Sequence, residues 1–176
     1  MTTPPFKKLK PGDTIGILGG GQLGRMLAMA ASRLGLRCEV FSPDPDSPAF
    51  DVVQHATCAE YADVEALELF VVASPEGTIL LVNEIAPRVH NSGHWTLDGA
   101  SVSQFEQHIR AIAGWPLAKP VRHGQVTMTN LIGDDILTYE NWMTVPGATV
   151  HLYGKGAPKP GRKMGHVTEV TRPGGK

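Results

Sequence analysis

Long apolar runs are missing from this 176-residue chain; a typical one, residues 79–82, falls far short of the roughly 20 residues that cross a bilayer, which excludes a membrane-spanning helix. Cysteine is nearly absent. The two present, Cys38 and Cys58, make neither a disulfide framework nor a zinc knuckle, and a reducing cytosol is the plain reading. No excess of one charge exists either: 16 basic residues stand against 17 acidic ones, for a net charge of -1. That balance gives no electrostatic footprint for a polyanion, so nucleic acid is not an expected partner. The first thirteen residues hold lysines and prolines but no apolar core, so they do not read as a secretory signal, and cytoplasmic residence is the expectation. With 41% apolar side chains the chain reads as an ordinary globular protein of one or two small domains. What it has in plenty is glycine and proline, 20 and 14. That is too many for a helical bundle and points to many turns or functional loops.

Residues 14–18 form a short apolar run broken by Gly19, Gly20 and Gly21, as a buried strand ending in a tight turn would be. Over residues 22–34, Leu23, Leu27, Ala30 and Leu34 fall on one helical face, and Gly35 supplies the stop. Residues 37–41 read as a second strand, completing a β-α-β unit with a parallel sheet. Between 51 and 69 no further strand is legible, only a short helix at 64–67. Residues 68–72 and 78–83 read as a hairpin turning through Pro75 and Gly77. A polar, non-alternating loop follows over 84–99, then a helix over 101–113 with Phe105, Ile109 and Ile112 on one face and a Ser103/Glu106 capping box. Strands at 126–132, 149–153 and 166–170 predict a small antiparallel sheet in the C-terminal half. The fold class is therefore α/β at the N-terminus with a β-rich C-terminal part.

Three segments carry chemistry. Gly19, Gly21 and Gly24 fit GxGxxG between a strand and a helix, where small residues admit a ligand and the helix N-terminus offers N–H groups to a phosphate. Asp44, twenty residues on, is where a dinucleotide fold keeps its ribose-binding acid, but such a fold needs about six strands and the pattern stops after two. Phosphate binding, an NAD site and a plain tight turn all remain open on these residues. In the polar loop, Glu84 ends one strand and Glu68 begins its partner, so the two carboxylates suit Mg2+, or are a solvated pair on a sheet edge. Arg88 and His90, two apart on extended chain, point the same way and suit binding or proton transfer at a small anion. His90 and His94 have zinc-like spacing, but Asn91, Ser92 and Gly93 between them argue against the helix such a site requires. Lys159, Arg162 and Lys163 crowd around Gly161 and Gly165 in a basic loop that either grips one phosphate or is simply solvated.

Gly20-Gly21-Gln22-Leu23-Gly24-Arg25-Met26, then Asn83-Glu84-Ile85-Ala86-Pro87-Arg88-Val89-His90-Asn91-Ser92-Gly93-His94-Trp95-Thr96, then Ser103-Gln104-Phe105-Glu106 and Pro160-Gly161-Arg162-Lys163-Met164-Gly165-His166, resemble the N5-carboxyaminoimidazole ribonucleotide synthetases of the ATP-grasp fold. The resemblance implies an α/β architecture: an N-terminal pre-ATP-grasp, Rossmann-like domain over 1–64, a remnant of the ATP-grasp domain over 65–115, and a C-terminal β subdomain over 116–176. It implies a ligase of purine biosynthesis, in which ATP phosphorylates bicarbonate to carboxyphosphate, and the carboxyl passes to the amine of 5-aminoimidazole ribonucleotide. ATP and Mg2+ are the implied cofactors, and a homodimer the implied assembly. Mapped by motif, Glu68 and Glu84 would carry the metal, with Asn83 and Asn91 near ATP and Mg2+. Arg88 and His90 would sit at the bicarbonate and the amine. Gly20, Gly21, Gln22, Leu23, Arg162 and Lys163 would hold the ribonucleotide phosphate. Family members are much longer. The central region that carries the ATP lid is missing between residues 64 and 68, so ribonucleotide binding is expected with weak or no ATP turnover. Two other readings stand beside this one: a noncatalytic phosphoribosyl-binding remnant, and a small NAD-dependent oxidoreductase.

Overall fold

Ile15 and Ile17 alternate with exposed neighbours along β1 (Thr14–Leu18), the signature of a strand with one covered face. In the computed structural model, which describes residues 8–58, 67–74, 77–84 and 88–172, that face is covered by α1 (Gln22–Arg33). Gly19 turns the chain between them with φ +105°, a conformation a side chain would oppose. Ala28 and Ala31, at most 1% exposed, are the small residues that let α1 lie close on the sheet. β2 (Arg37–Ser42) runs parallel to β1, from Thr14 opposite Arg37 to Leu18 opposite Phe41. Its Cys38 and Val40 complete the cluster with Ile15, Ile17 and Leu36. Each such aliphatic side chain contributes roughly 1.5–3 kcal/mol when removed from water.

A third strand corrects the two-strand reading of this unit. β3 (His55–Cys58) pairs parallel with β2, Glu39 opposite His55 through Ser42 opposite Cys58. All four of its residues are exposed, so no apolar alternation marks it in the sequence. The helix expected at 64–67 lies outside the described residues except for Leu67, which begins β4 (Leu67–Ser74). β4 pairs antiparallel with β5 (Gly77–Glu84), with Leu67 opposite Glu84 and Ser74 opposite Gly77; the expected turn at Pro75 lies outside the described residues.

Two short turns, a 3-10 turn at Asn91–Gly93 and α2 (Thr96–Gly99), punctuate the polar stretch. α3 (Gln104–Ile112) starts three residues later than the sequence pattern suggests, because Ser103 is its N-cap and accepts a hydrogen bond from the Glu106 N–H at 3.1 Å. Phe105 and Ile109 are fully buried, and Ile109 with Ala113 joins the β1–α1–β2 core. The Glu106 carboxylate does not close the capping box. It holds Arg110 at 2.6 Å and also pairs with Arg33 of α1, so the two helices are tied by charge as well as packing.

The C-terminal sheet has the order β6 (Gln125–Ile132), β8 (Lys163–Thr171), β7 (Ala148–Leu152), all antiparallel, as the sequence implies. β8 is the central strand, and residues 164–168 are buried one after another because both its faces are covered. Between β6 and β7 the chain makes a 3-10 turn (Gly133–Thr138) and α4 (Tyr139–Met143), a helix too short to leave a periodic pattern.

Candidate functional site

The glycine loop is built by packing before it is built for a ligand. A Cβ at Gly24 would overlap the Gly19 carbonyl, and one at Gly20 would overlap Ser47. Gly20 is buried beneath the loop, its carbonyl accepting from the Ala49 N–H at 2.8 Å, so it backs the site and does not line it. Gly21 is different: it is exposed, nothing stands within 4 Å of where its Cβ would be, and it is the N-cap of α1 without any side-chain cap. The first turn of α1 carries no acidic residue. A twelve-residue helix with no side-chain cap among the described residues and its N-terminus facing open space presents N–H groups and a positive dipole end, the features that favour an anion.

That helix end opens into a cleft of about 500 Å³. One wall is Gly21, Gln22 and Leu23; the other is Arg88, His90 and Asn91; Lys163, the first residue of β8, closes one side. Seven of the residues singled out in the sequence thus meet around one space although they come from three distant segments. Arg88 is exposed, with Nη1 donating to the Val89 carbonyl at 3.2 Å. His90 lies in extended backbone; its Nδ1 accepts from the Ser92 N–H at 3.3 Å and lies 2.8 Å from Ser92 Oγ, which puts the proton of the neutral ring on Nε2. Asn91 lines the cleft with its Oδ1 buried and lacking a hydrogen-bond partner among the described residues.

The basic segment near the C-terminus divides. Lys163 belongs to this cleft, while Lys159 and Arg162 line an adjoining polar hollow of about 830 Å³, opposite Asp44, Asp46 and Asp51. The division arises because β8 begins at Lys163, three residues before the strand expected at 166–170. Asp44 is turned into this second hollow by an Asx turn, its Oδ1 accepting from the Asp46 N–H at 3.0 Å. It does not meet the glycine cleft, and the NAD reading finds no support in it.

Lys155 joins the two spaces and is missing from the sequence-based set. Its Nζ donates to Gln22 Oε1 and, at 2.7 Å, to the Lys163 carbonyl, and sits 5.2 Å from the centre of the Tyr153 ring. Burial, then the charges of Arg162 and Lys163, pull it down to about 8. Its signal is weak: a lone lysine between Gly154 and Gly156, both at positive φ, just past a strand.

Of the metal residues inferred from sequence, Glu84 is the last residue of β5 and Glu68 the second of β4, and Leu67 pairs with Glu84, so the glutamates lie one register apart on paired strands. Asn83 precedes Glu84 on β5.

Behind the cleft lies a buried cluster of rings. His94 and His166 are fully buried, their centroids 5.4 Å apart, with Phe105 5.1 Å from His94. Tyr153 Oη and His166 Nδ1 are 2.7 Å apart, and His151 stacks on His166 at 4.6 Å as its cross-strand partner. Burial pushes His94 down to about 4 and His166 down to about 3, so both rings are neutral at pH 7, and it pushes the Tyr153 hydroxyl up. Asp98, His151 and His166 bring donor atoms within 4.8 Å of one another, as a metal would need. However, the two imidazoles are only 15° from parallel, which aims their lone pairs side by side instead of at one point, and His151 already holds Asp98 at 2.8 Å. The cluster is polar core, joining the 88–104 segment to the C-terminal sheet.

Comparison with known proteins agrees with this layout. The description "Ribonucleotide synthetase preATP-grasp domain" matches residues 13–78, and "Phosphoribosylaminoimidazole carboxylase C-terminal domain" matches residues 126–173. The chain is 46% identical over 142 residues to the N5-carboxyaminoimidazole ribonucleotide synthase of Brucella melitensis, covering 81% of this chain and 38% of that protein. It therefore spans well under half the length of the curated relatives it matches. A solved N5-carboxyaminoimidazole synthetase from Staphylococcus aureus complexed with ADP superposes with a TM-score of 0.80 at 20% identity, over 94% of this chain and 95% of that one. An Aspergillus clavatus N5-carboxyaminoimidazole synthase in complex with ADP and 5-aminoimidazole ribonucleotide does so with 0.73 at 18%, over 92% and 94%. At these identities the superpositions establish the fold, and the family comes from the sequence matches. With its glycine-loop unit and its C-terminal sheet each matched in order, the chain belongs to the N5-carboxyaminoimidazole ribonucleotide synthase family.

Proposed function

We propose that this chain binds 5-aminoimidazole ribonucleotide in the glycine cleft and is a shortened form of the family's ATP-dependent ligase, cytoplasmic and assembled as a homodimer. The observation that carries the reading is the convergence of the uncapped α1 N-terminus with Lys155 and Lys163 opposite Arg88 and His90. In this reading the ribonucleotide phosphate rests on the N–H groups after Gly21, with Gln22 and Leu23 as its wall and Gly20 as the packed floor. Lys155 and Lys163 supply the compensating charge at the phosphate, and Arg162, in the adjoining hollow, adds to it at longer range. Arg88 pairs with bicarbonate, and His90 faces the amine, from which a proton must leave when the carbon–nitrogen bond forms.

Glu68 and Glu84 are proposed, on their motif positions alone, to carry Mg2+, with Asn83 and the orphaned acceptor of Asn91 near ATP and the metal. When bound, the metal neutralises charge on the transferring phosphoryl group. We assign residues 1–64, 65–115 and 116–176 to the N-terminal, ATP-grasp-derived and C-terminal units. In this reading the shortened chain lacks part of the clamp on ATP, and binding should outlast turnover.

Calorimetric titration with 5-aminoimidazole ribonucleotide, paired with a phosphate-release assay containing ATP, Mg2+ and bicarbonate, tests this. Saturable one-site binding with slow or absent phosphate release is the expected result. No saturable binding would refute it. Light scattering coupled to size exclusion checks the dimer.

A further inference from the structure

We infer that Gln104 is a positioning residue that sets the His90 wall of the cleft; this rests on the reading just given, in which His90 faces the substrate. A single carboxamide satisfies both backbone groups of His90: Gln104 Oε1 accepts the His90 N–H at 2.9 Å, and Gln104 Nε2 donates to the His90 carbonyl at 2.6 Å. This is the pairing a neighbouring strand would give, supplied by a side chain, and it holds His90 in extended geometry with φ -128° and ψ 152°. Gln104 can do so because it is itself fixed. It is the first residue of α3, just after the Ser103 cap and just before the fully buried Phe105, and its own N–H donates to Thr96 Oγ1 at 2.9 Å. Thr96 Oγ1 in turn donates to the Gly93 carbonyl at 2.6 Å, closing the loop from below.

The surrounding residues make sense in this light. A Cβ at Gly93 would stand 2.8 Å from Gln104 Cδ, so the glycine there makes room for the carboxamide. His94 Nδ1 lies 2.9 Å from both the His90 carbonyl and Gln104 Nε2, and the neutral, buried ring adds a lateral stop. The chemistry requires glutamine. Glutamate at neutral pH can accept from the His90 N–H but has no donor for the carbonyl and repels it, and methionine fills the same volume with neither group. Arg88 lies two residues earlier on the same wall.

The test uses the whole chain with Gln104→Met, Gln104→Glu and, independently, Gly93→Ala, which pushes the carboxamide aside without removing it. Amide exchange by NMR reads His90 directly, with the amides of β6 and β8 as internal reference, and calorimetry reads 5-aminoimidazole ribonucleotide. In Gln104→Met and Gly93→Ala, exchange at His90 should rise about tenfold or more while the reference amides hold, and ribonucleotide affinity should fall about tenfold, the scale of one to two neutral hydrogen bonds. Gln104→Glu should keep much of the amide protection and still lose affinity. Unchanged exchange at His90 in Gln104→Met or Gly93→Ala overturns the clamp, and lost protection with unchanged affinity overturns the positioning role. If the unmodified chain binds no ribonucleotide, the proposed function fails, while the exchange comparison still decides whether Gln104 holds His90.

Discussion

Acidification to pH 5 should destabilise this protein markedly, because two imidazoles sit in the core without charge. His94 and His166 are both 0% exposed, and burial, ahead of the neighbouring His90, His151 and Lys163, pushes them down to about 4 and about 3. In the unfolded chain each returns to the usual value near 6.5. A depressed histidine gives stability that is present above the unfolded value and is lost as pH falls toward the folded one, since the unfolded chain takes up protons that the core refuses. Each ring contributes a slope of about 1.4 kcal/mol per pH unit once the pH is well below 6.5. Between pH 7.5 and pH 5 that is about 2 kcal/mol per ring and about 4 kcal/mol for the pair, against a total stability of about 5–15 kcal/mol for a typical domain. The melting temperature should drop by roughly 10 °C. His108, also lowered by burial, acts in the same direction. Lys155, lowered to about 8, titrates outside this window. Urea unfolding followed by tryptophan fluorescence at pH 7.5 and pH 5 measures the difference, and His166→Asn should reduce that difference by about half whatever its effect on stability at pH 7.5. Equal midpoints at the two pH values, or a pH difference untouched by His166→Asn, would refute the assignment of these rings as buried and neutral.

Four further outcomes follow from the same geometry. Lys155→Met should weaken 5-aminoimidazole ribonucleotide binding about tenfold to a hundredfold by calorimetry. In the unmodified chain the affinity should decline as pH rises through about 8, where Lys155 loses its charge. Gly24→Ala should cost roughly 1–3 kcal/mol in urea unfolding, because its methyl group meets the rigid Gly19 carbonyl and no flexible side chain. Glu68→Gln and Glu84→Gln should leave ribonucleotide binding intact and abolish whatever Mg2+-dependent phosphate release the chain retains; loss of ribonucleotide binding in either variant would move those glutamates out of the metal role.

Where a residue's environment was written into its near neighbours, the sequence alone was a sound guide. The turn at Gly19, α1, β2 and the Ser103 cap follow from local pattern and capping chemistry, and they stand within a few residues of their expected places. The strands of the C-terminal sheet do too, since each carries enough β-branched residues between turn glycines. β3 escaped notice because His55–Cys58 is exposed throughout and owes its conformation to the free edge of β2. Gly20 and Gly24 looked like ligand-facing positions, yet their smallness answers to Ser47 and the Gly19 carbonyl, which local pattern cannot reveal. Lys155 and Gln104 were invisible for a third reason. Each acts on a residue far along the chain, Gln22 in one case and His90 in the other, and a lone lysine or glutamine has no periodicity to betray it.

The same long-range contacts explain how a cleft can persist in a chain that spans so little of its relatives. Among the described residues its walls are held by elements outside β4 and β5. The glycine wall is fixed by the parallel sheet and by α1, which packs on α3 and is tied to it through Arg33 and Glu106. The opposite wall is held by Gln104 at the start of that same α3. The third side comes from β8, whose sheet is locked to the 88–104 segment by His94 against His166 and by His151 of β7 against Asp98. Each wall of the cleft thus hangs on α3 or on the ring cluster beside it, whereas Glu68 and Glu84 sit on the separate β4–β5 pair. On the proposed assignments, damage to α3, as in Glu106→Ala, should loosen ribonucleotide binding more than any change in β4 or β5.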